Sequence, residues 1–250
     1  MLSRNNLGYL FLSAVLVLCS LRAVAEENTL TLNIPEHGFP PYLINTPTGG
    51  IMYDVMVNIS IKLGYQIAII NIPEKRAQLL LQQGMFDVHA TAPEFQENTE
   101  PFIFTDPVVN ISDVVFSRKA DNFQYQKVED LFGLTIGTML GYGYPSLDAY
   151  IEQGKITRDD ARDETTTLKK LSIGRSDAAI ITNLVGLWVL KNNPSLQGKF
   201  TISTTTVDTT PLRFMMKKER LPFVKKFNQE LSFIKNNGEL NRIVSKYTEQ

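Results

Sequence analysis

The chain has 250 residues, 43% hydrophobic and 20% charged, with 15 Gly and 12 Pro, an ordinary globular composition that excludes a collagen, a coiled coil and a largely disordered chain. With 25 Lys plus Arg against 26 Asp plus Glu the net charge is −1, which offers no basic footprint for nucleic acid. One Cys permits no intrachain disulfide and no cysteine-based zinc site, and two His (His37 and His89) are too few for a three-histidine metal site.

The first element in chain order reads as an address. Residues 1–6 carry Arg4, residues 7–21 (LGYLFLSAVLVLCSL) are almost wholly apolar, and Ala23-Val24-Ala25 precede Glu26 and Glu27. This is the three-part pattern of a secretory signal, with the cut expected after Ala25. The apolar run falls short of the about 20 residues that span a bilayer. Cys19 follows Leu18 rather than a small residue, which argues against lipidation. Cleavage would remove Cys19, and a cysteine-free product fits an oxidising compartment.

Residues 29–34 (TLTLNI) alternate and predict a strand, followed by a Pro-rich loop over 35–41 and a Pro/Gly turn over 46–50. Met52, Val55, Met56, Ile59 and Leu63 have helical spacing, stopped by Gly64. A strand over 66–72, a helix over 76–83 closed by Gly84 and a strand over 86–91 follow. Strand-helix-strand-helix-strand implies a parallel sheet covered by helices. A similar order recurs further on: a strand over 113–118, a helical turn over 128–131, a strand over 135–138, helices over 146–153 and 165–173, and a strand over 178–182. Two such units suggest two lobes. Residues 200–207 are extended, 212–216 form a strand, and amphipathic helices cover 223–234 and 240–247.

A series of short matches in the right order resembles the bacterial extracellular solute-binding proteins of the polar amino-acid type, family 3. They are Phe39-Pro-Pro-Tyr42, Gly50 with Asp54, Arg76-Ala77 followed by Gly84-Met-Phe-Asp87, and Phe104-Thr-Asp-Pro107. Val114-Val-Phe-Ser117, Asp130-Leu-Phe-Gly133, Gly174-Arg-Ser-Asp-Ala178, Phe227-Asn228 and Asn237-Gly-Glu-Leu240 continue the series. The resemblance implies an α/β fold of the two-lobed periplasmic-binding-protein kind (type II), with two parallel-type sheets, flanking helices and a two-strand hinge. It divides the chain into a signal peptide (1–25), lobe 1 (26–111 and 209–250) and lobe 2 (112–208). The hinge crossings are expected near 108–112 and 204–209, and closing the lobes would bury a ligand.

Ligands of open α/β sheets sit at the carboxyl ends of strands. That selects Glu36, Phe39, Tyr42, Arg76, Glu94 and Asn98 in lobe 1 and Met139, Tyr142, Gly143, Tyr144 and Thr182 in lobe 2. Phe39 and Tyr42 form an aromatic wall or plug their loop onto the core. Tyr142 and Tyr144 touch the ligand or pack on their lobe. The Gly141-Tyr-Gly-Tyr144 run can present backbone N–H groups to an anion, without the Lys of a phosphate loop. Arg76 is a fork for a carboxylate or a solvated helix-start charge. Arg175 reads as part of its turn.

Two departures bear on the ligand. The resemblance implies an Arg after the third strand for an amino acid's carboxylate and an Asp after the 178–182 strand for its ammonium. Here those positions fall on Asn98 or Thr99 and on Thr182, none of them charged. An unpaired charge in a closed cleft costs several kcal/mol, so a standard α-amino acid is disfavoured unless Arg76 pairs with Glu36 or Glu94 instead. The expected function is therefore periplasmic capture of a small polar solute for the permease of an inner-membrane ABC importer. A diverged sensory paralogue acting on a sensor protein is the alternative, and a dehydratase using Glu36, Glu74 or Glu94 a more distant one. No nucleophile-base set is visible, so no enzyme is expected. Neither is a cofactor, a metal or a nucleic-acid partner, and the chain is expected to be a monomer.

Overall fold

Alternation buries Leu30 and Leu32 on one face of β1 (Thr29–Asn33) and starts the sheet. The computed structural model describes residues 28–249, so the expected leader over 1–25 lies outside the described residues. β1 pairs in parallel with β2 (Gln66–Ile70) and β3 (Val88–Thr91). α1 (Ile51–Lys62) connects β1 to β2 and buries Met52, Val55, Met56 and Ile59, the stripe its spacing predicts. Gly50 before it has φ +108°, and a Cβ there would lie 2.6 Å from the Tyr42 carbonyl oxygen, so only glycine fits. α2 (Glu74–Gln82) connects β2 to β3 and seats Ala77 and Leu81 on the opposite sheet face.

β4 (Phe102–Phe104) pairs with the far end of β9. β5 (Val109–Arg118) then carries the chain across the molecule into a second parallel trio, β6 (Thr135–Met139), β7 (Thr157–Ala161) and β8 (Ala178–Thr182). α3 (Asp148–Glu152), α4 (Glu164–Ser172) and α5 (Asn183–Asn192) accompany it. β9 (Phe200–Lys217) is one strand of 18 residues that returns to β3, where the sequence predicts two separate segments. α6 (Leu221–Asn236) and α7 (Glu239–Thr248) finish the chain against α1.

The two parallel trios are not separate sheets. Hydrogen bonding runs β2-β1-β3-β9-β5-β8-β6-β7, through the antiparallel pair β5 and β9. The sheet is therefore mixed, and the two crossing strands are its shared middle. Each end keeps its own core. β1, β3, α1 and α6 share one around Leu32, Met56, Phe214 and Phe227. Phe116, Leu168, Leu171 and Val189 form another on one face of the second trio, and Ile136, Ile180, Tyr144 and Leu147 a third on its other face. α5 bridges behind the crossing strands: Val185 joins the first core, the Trp188 ring lies 6.2 Å from that of Tyr247, and Lys191 Nζ donates to the Lys246 carbonyl at 2.8 Å.

A single device is used once in each half. Asp87 Oδ2 accepts from Thr31 N and Asp177 Oδ2 from Thr135 N, both at 2.8 Å. In return Asp87 N donates to Thr31 O and Asp177 N to Thr135 O. Both aspartates end a Gly-x-x-Asp turn after a helix, at Gly84 (φ +77°) and Gly174 (φ +77°). The turn thus clamps the incoming strand to its parallel neighbour in each half.

Candidate functional site, an interlobe cleft

The carboxyl ends of β1, β2 and β3 face those of β6 and β8 across the crossing strands, and a cleft opens between them. A cavity of about 470 Å³ is lined by Phe39 and Phe95 from one side, Tyr142, Gly143 and Thr182 from the other, and Asp113 and Asp208 at its floor. An adjoining cavity of about 320 Å³ shares Phe39, Phe95 and Tyr142 and adds Tyr42 and Glu74. Together they are of the size that takes a small molecule.

The first wall comes from the loop after β1. Phe39 and Leu43 exchange backbone hydrogen bonds at 2.7 and 3.0 Å. Gly38, at φ +64°, permits the turn, since a Cβ there would lie 2.8 Å from the Leu43 oxygen. Phe39 stacks on Tyr42 with centroids 4.9 Å apart. Tyr42 is fully buried and donates its hydroxyl to the Asn110 carbonyl at 3.2 Å, tying the loop to β5. It is thus both plug and wall, and burial together with Asp113 pushes its hydroxyl pKa above the usual phenol range.

The opposite wall is the loop after β6. Arg158 holds it from behind: its Nη1 donates to Tyr142 O and its Nη2 to Met139 O, each at 3.1 Å, while Asp160 accepts from Nη2 at 2.7 Å. Tyr144 is buried, takes a hydrogen bond from Met139 N at 3.0 Å, and has its pKa pushed up to about 12, chiefly by burial. In the Gly-Tyr-Gly-Tyr run the protein itself takes two of the backbone donors that could face an anion. Tyr142 N donates to Met139 O, and Tyr144 N donates to both Asp148 carboxylate oxygens at 3.1 Å, so the protein's own carboxylate takes that donor.

Of the residues selected from sequence, Phe39, Tyr42, Tyr142, Gly143 and Thr182 line the cleft. Glu36, Arg76, Glu94 and Asn98 are exposed and line neither cavity. The neighbouring Phe95, not Glu94, lines both cavities. Asn98 serves its own loop, accepting from Glu100 N at 3.0 Å on Oδ1 and from Gln78 on its carbonyl. Met139 and Tyr144 pack inside the second half instead. Arg175 stays exposed in its turn, its Nε 3.7 Å from Asp159.

The floor is what sequence reasoning missed. Thr182, Asp113 and Asp208 stand at one level on β8, β5 and β9, because Asp113 is in register with both of the others. Residues in register across adjacent strands share a face. Thr182 Oγ1 donates to Asp113 Oδ1 at 2.7 Å, and Ser146 Oγ to Asp208 Oδ1 at 2.5 Å. Register shifts on either side of Val114 break the ladder just beyond this row, as bulges do where a side chain is re-aimed. Burial, with Asp208 adding to it, raises the Asp113 pKa above the usual carboxylate value, against the lowering effect of Thr182. The cleft is therefore acidic, not neutral as Asn98 and Thr182 alone imply. A carboxylate stands one strand away from the position at which the resemblance expects one.

Comparison with known proteins agrees with this architecture. Residues 34–250 match the family of bacterial extracellular solute-binding proteins, family 3. The arginine-binding extracellular protein ArtP of Bacillus subtilis (strain 168) is 28% identical over 146 residues, which cover 58% of this chain. The chain spans about half the length of that relative, 55%. An ancestral cationic amino acid solute-binding protein superposes with a TM-score of 0.71 at 17% identity, over 92% of this chain and 100% of that one. The second substrate-binding domain of a putative amino acid ABC transporter from Streptococcus pneumoniae gives 0.70 at 20% identity, over 87% and 98%. The fold is that of the two-lobed, type II periplasmic binding proteins. Among the described residues no helix is long and apolar enough to cross a membrane. The chain belongs to the bacterial extracellular solute-binding proteins, family 3.

Proposed function

We propose that the protein is exported to the periplasm with cleavage after Ala25 and captures a small polar solute there. It binds rather than converts that solute, and hands it to the permease of an inner-membrane ABC importer. The solute is amino-acid-like or a related metabolite, but not a standard α-amino acid. Lobe 1 comprises 26–111 and 209–250, lobe 2 comprises 112–208, and the chain works as a monomer. The observation that carries this reading is the cleft itself: Phe39 and Phe95 face Tyr142 and Thr182 across a cavity of about 470 Å³ floored by the two crossing strands. Such a place lets a hinge close over a ligand.

Thermal denaturation of the purified chain, with the twenty amino acids and their amine, ester and acid analogues added singly, tests it. A solute that binds only the folded state raises the melting temperature, by about 2.7 kcal/mol of stability at one hundred times its Kd. At least one analogue is expected to do so. Strong shifts with all twenty amino acids would overturn the exclusion of α-amino acids, and no shift with any compound would overturn the capture of such solutes.

A further inference from the structure

Three carboxylates line the cleft, Asp113 and Asp208 at the floor and Glu74 at the first wall. Among the described residues lining either cavity there is no Lys and no Arg. Arginines of the nearby elements are committed elsewhere. Arg158 spends its donors on Thr138, Met139, Tyr142 and Asp160, and Arg213 donates to the Thr105 carbonyl at 2.8 Å. Arg76 is exposed and lines neither cavity. Two backbone donors of the loop, Tyr142 N and Tyr144 N, are taken internally.

Asp208 Oδ2 is enclosed and has no hydrogen-bond partner. Across from it Asp113 shares its carboxylate with Thr182 alone, and neither aspartate forms an ion pair among the described residues. Like charges directly opposite on paired strands are destabilising. Ser146 serves only Oδ1, and an enclosed carboxylate oxygen without a donor costs free energy that an incoming cation returns. The walls suit the same guest: the rings of Phe39, Phe95 and Tyr142 offer faces that attract an organic cation. A guest carboxylate, by contrast, would meet no cation and two like charges.

We infer that the solute is an organic cation, an amine or guanidine without a carboxylate, whose positive group sits against Asp113 and Asp208. This rests on the cleft reading above and narrows it to one chemical class. Fixed acidic side chains select by charge: they attract the ammonium or guanidinium and repel the carboxylate that an amino acid carries.

Matched pairs differing only by the carboxylate isolate the claim. Calorimetric titrations of the purified protein with agmatine against arginine, and with cadaverine against lysine, are the experiment. At least one amine is expected to bind tenfold or more tightly than its amino acid. Asp113→Asn and Asp208→Asn should each weaken that amine about 100-fold, the loss expected when one partner of a buried charge pair is removed. Unchanged melting temperatures or higher ones show that both variants fold. Equal or tighter binding of the amino acids, or amine binding indifferent to both substitutions, would overturn the cation assignment and leave the cleft reading standing. Binding only of neutral or anionic analogues would do the same. No binding by any compound in the wider panel would remove both.

Discussion

Asp113 on β5 and Asp208 on β9 lie directly opposite one another on paired antiparallel strands, at the floor of the cleft. Such a pair costs stability in the unliganded protein, and the cost has a pH signature. The Asp113 pKa is raised on folding, first by burial and then by the charge of Asp208. A carboxyl group with a raised folded-state pKa favours the folded state below its unfolded value, and that contribution is lost as pH rises through the folded value. Asp113→Asn is therefore expected to raise the melting temperature at pH 7, by an amount that shrinks as pH falls toward the ordinary carboxylate range. Melting curves of both proteins across pH 4 to 8, at the same ionic strength, check this. A gap that widens on acidification contradicts it.

Phe95 separates wall from core. Its ring lines both cavities yet is 56% exposed, so removing it should cost the fold little. Phe95→Ala is expected to leave the melting temperature of the unliganded protein within a degree or two. It should weaken an organic cation about three- to tenfold, the scale of one cation–π contact. Parallel melting and calorimetric measurements decide. An unchanged affinity would place the ring outside the site.

Gly186 of α5 sits against the buried ring of Phe116. A Cβ there would lie 2.3 Å from Phe116 Cζ, a contact no structure tolerates without movement. Gly186→Ala is expected to destabilise the protein by about 1–3 kcal/mol in urea unfolding. Shrinking the partner should relieve it: the double variant with Phe116→Leu loses less than the sum of the two single variants. Additive losses would show that the helix, not the ring, gives way.

The elements that sequence revealed and those it hid differ by physical cause. α1 announced itself because only one of its faces is buried, so Met52, Val55, Met56 and Ile59 keep a 3.6-residue rhythm. α5 went unread although Val185, Gly186, Val189 and Leu190 keep the same rhythm, and it lies between the sheet and α7. β7 is a sheet edge written Thr-Arg-Asp-Asp-Ala, whose charges are satisfied sideways by Lys170 and Arg158 and look nothing like a strand. β4 has three residues, too few for a pattern.

The site divides in the same way. Phe39, Tyr42, Tyr142 and Thr182 were legible because they follow strands, and loops after parallel strands gather at one edge. Asp113 and Asp208 were not, since they meet only through the register of β5 with β9. Asp113 lies at the start of the predicted 113–118 strand, whose pattern does not pair it with Asp208. A search for in-register acidic residues on the two crossing segments would have found the pair.

The central claim is that two lobes close over a solute held between them. Spin labels at Lys75→Cys on α2 and Arg162→Cys after β7 flank the cleft on exposed positions, and the mature chain as proposed, free of Cys19, carries no other thiol. The distance between them, measured by double electron–electron resonance with and without saturating agmatine, is the most direct test. A single shorter distance in the bound protein is the predicted result. An unchanged distance, while calorimetry shows the same sample saturated, would contradict closure.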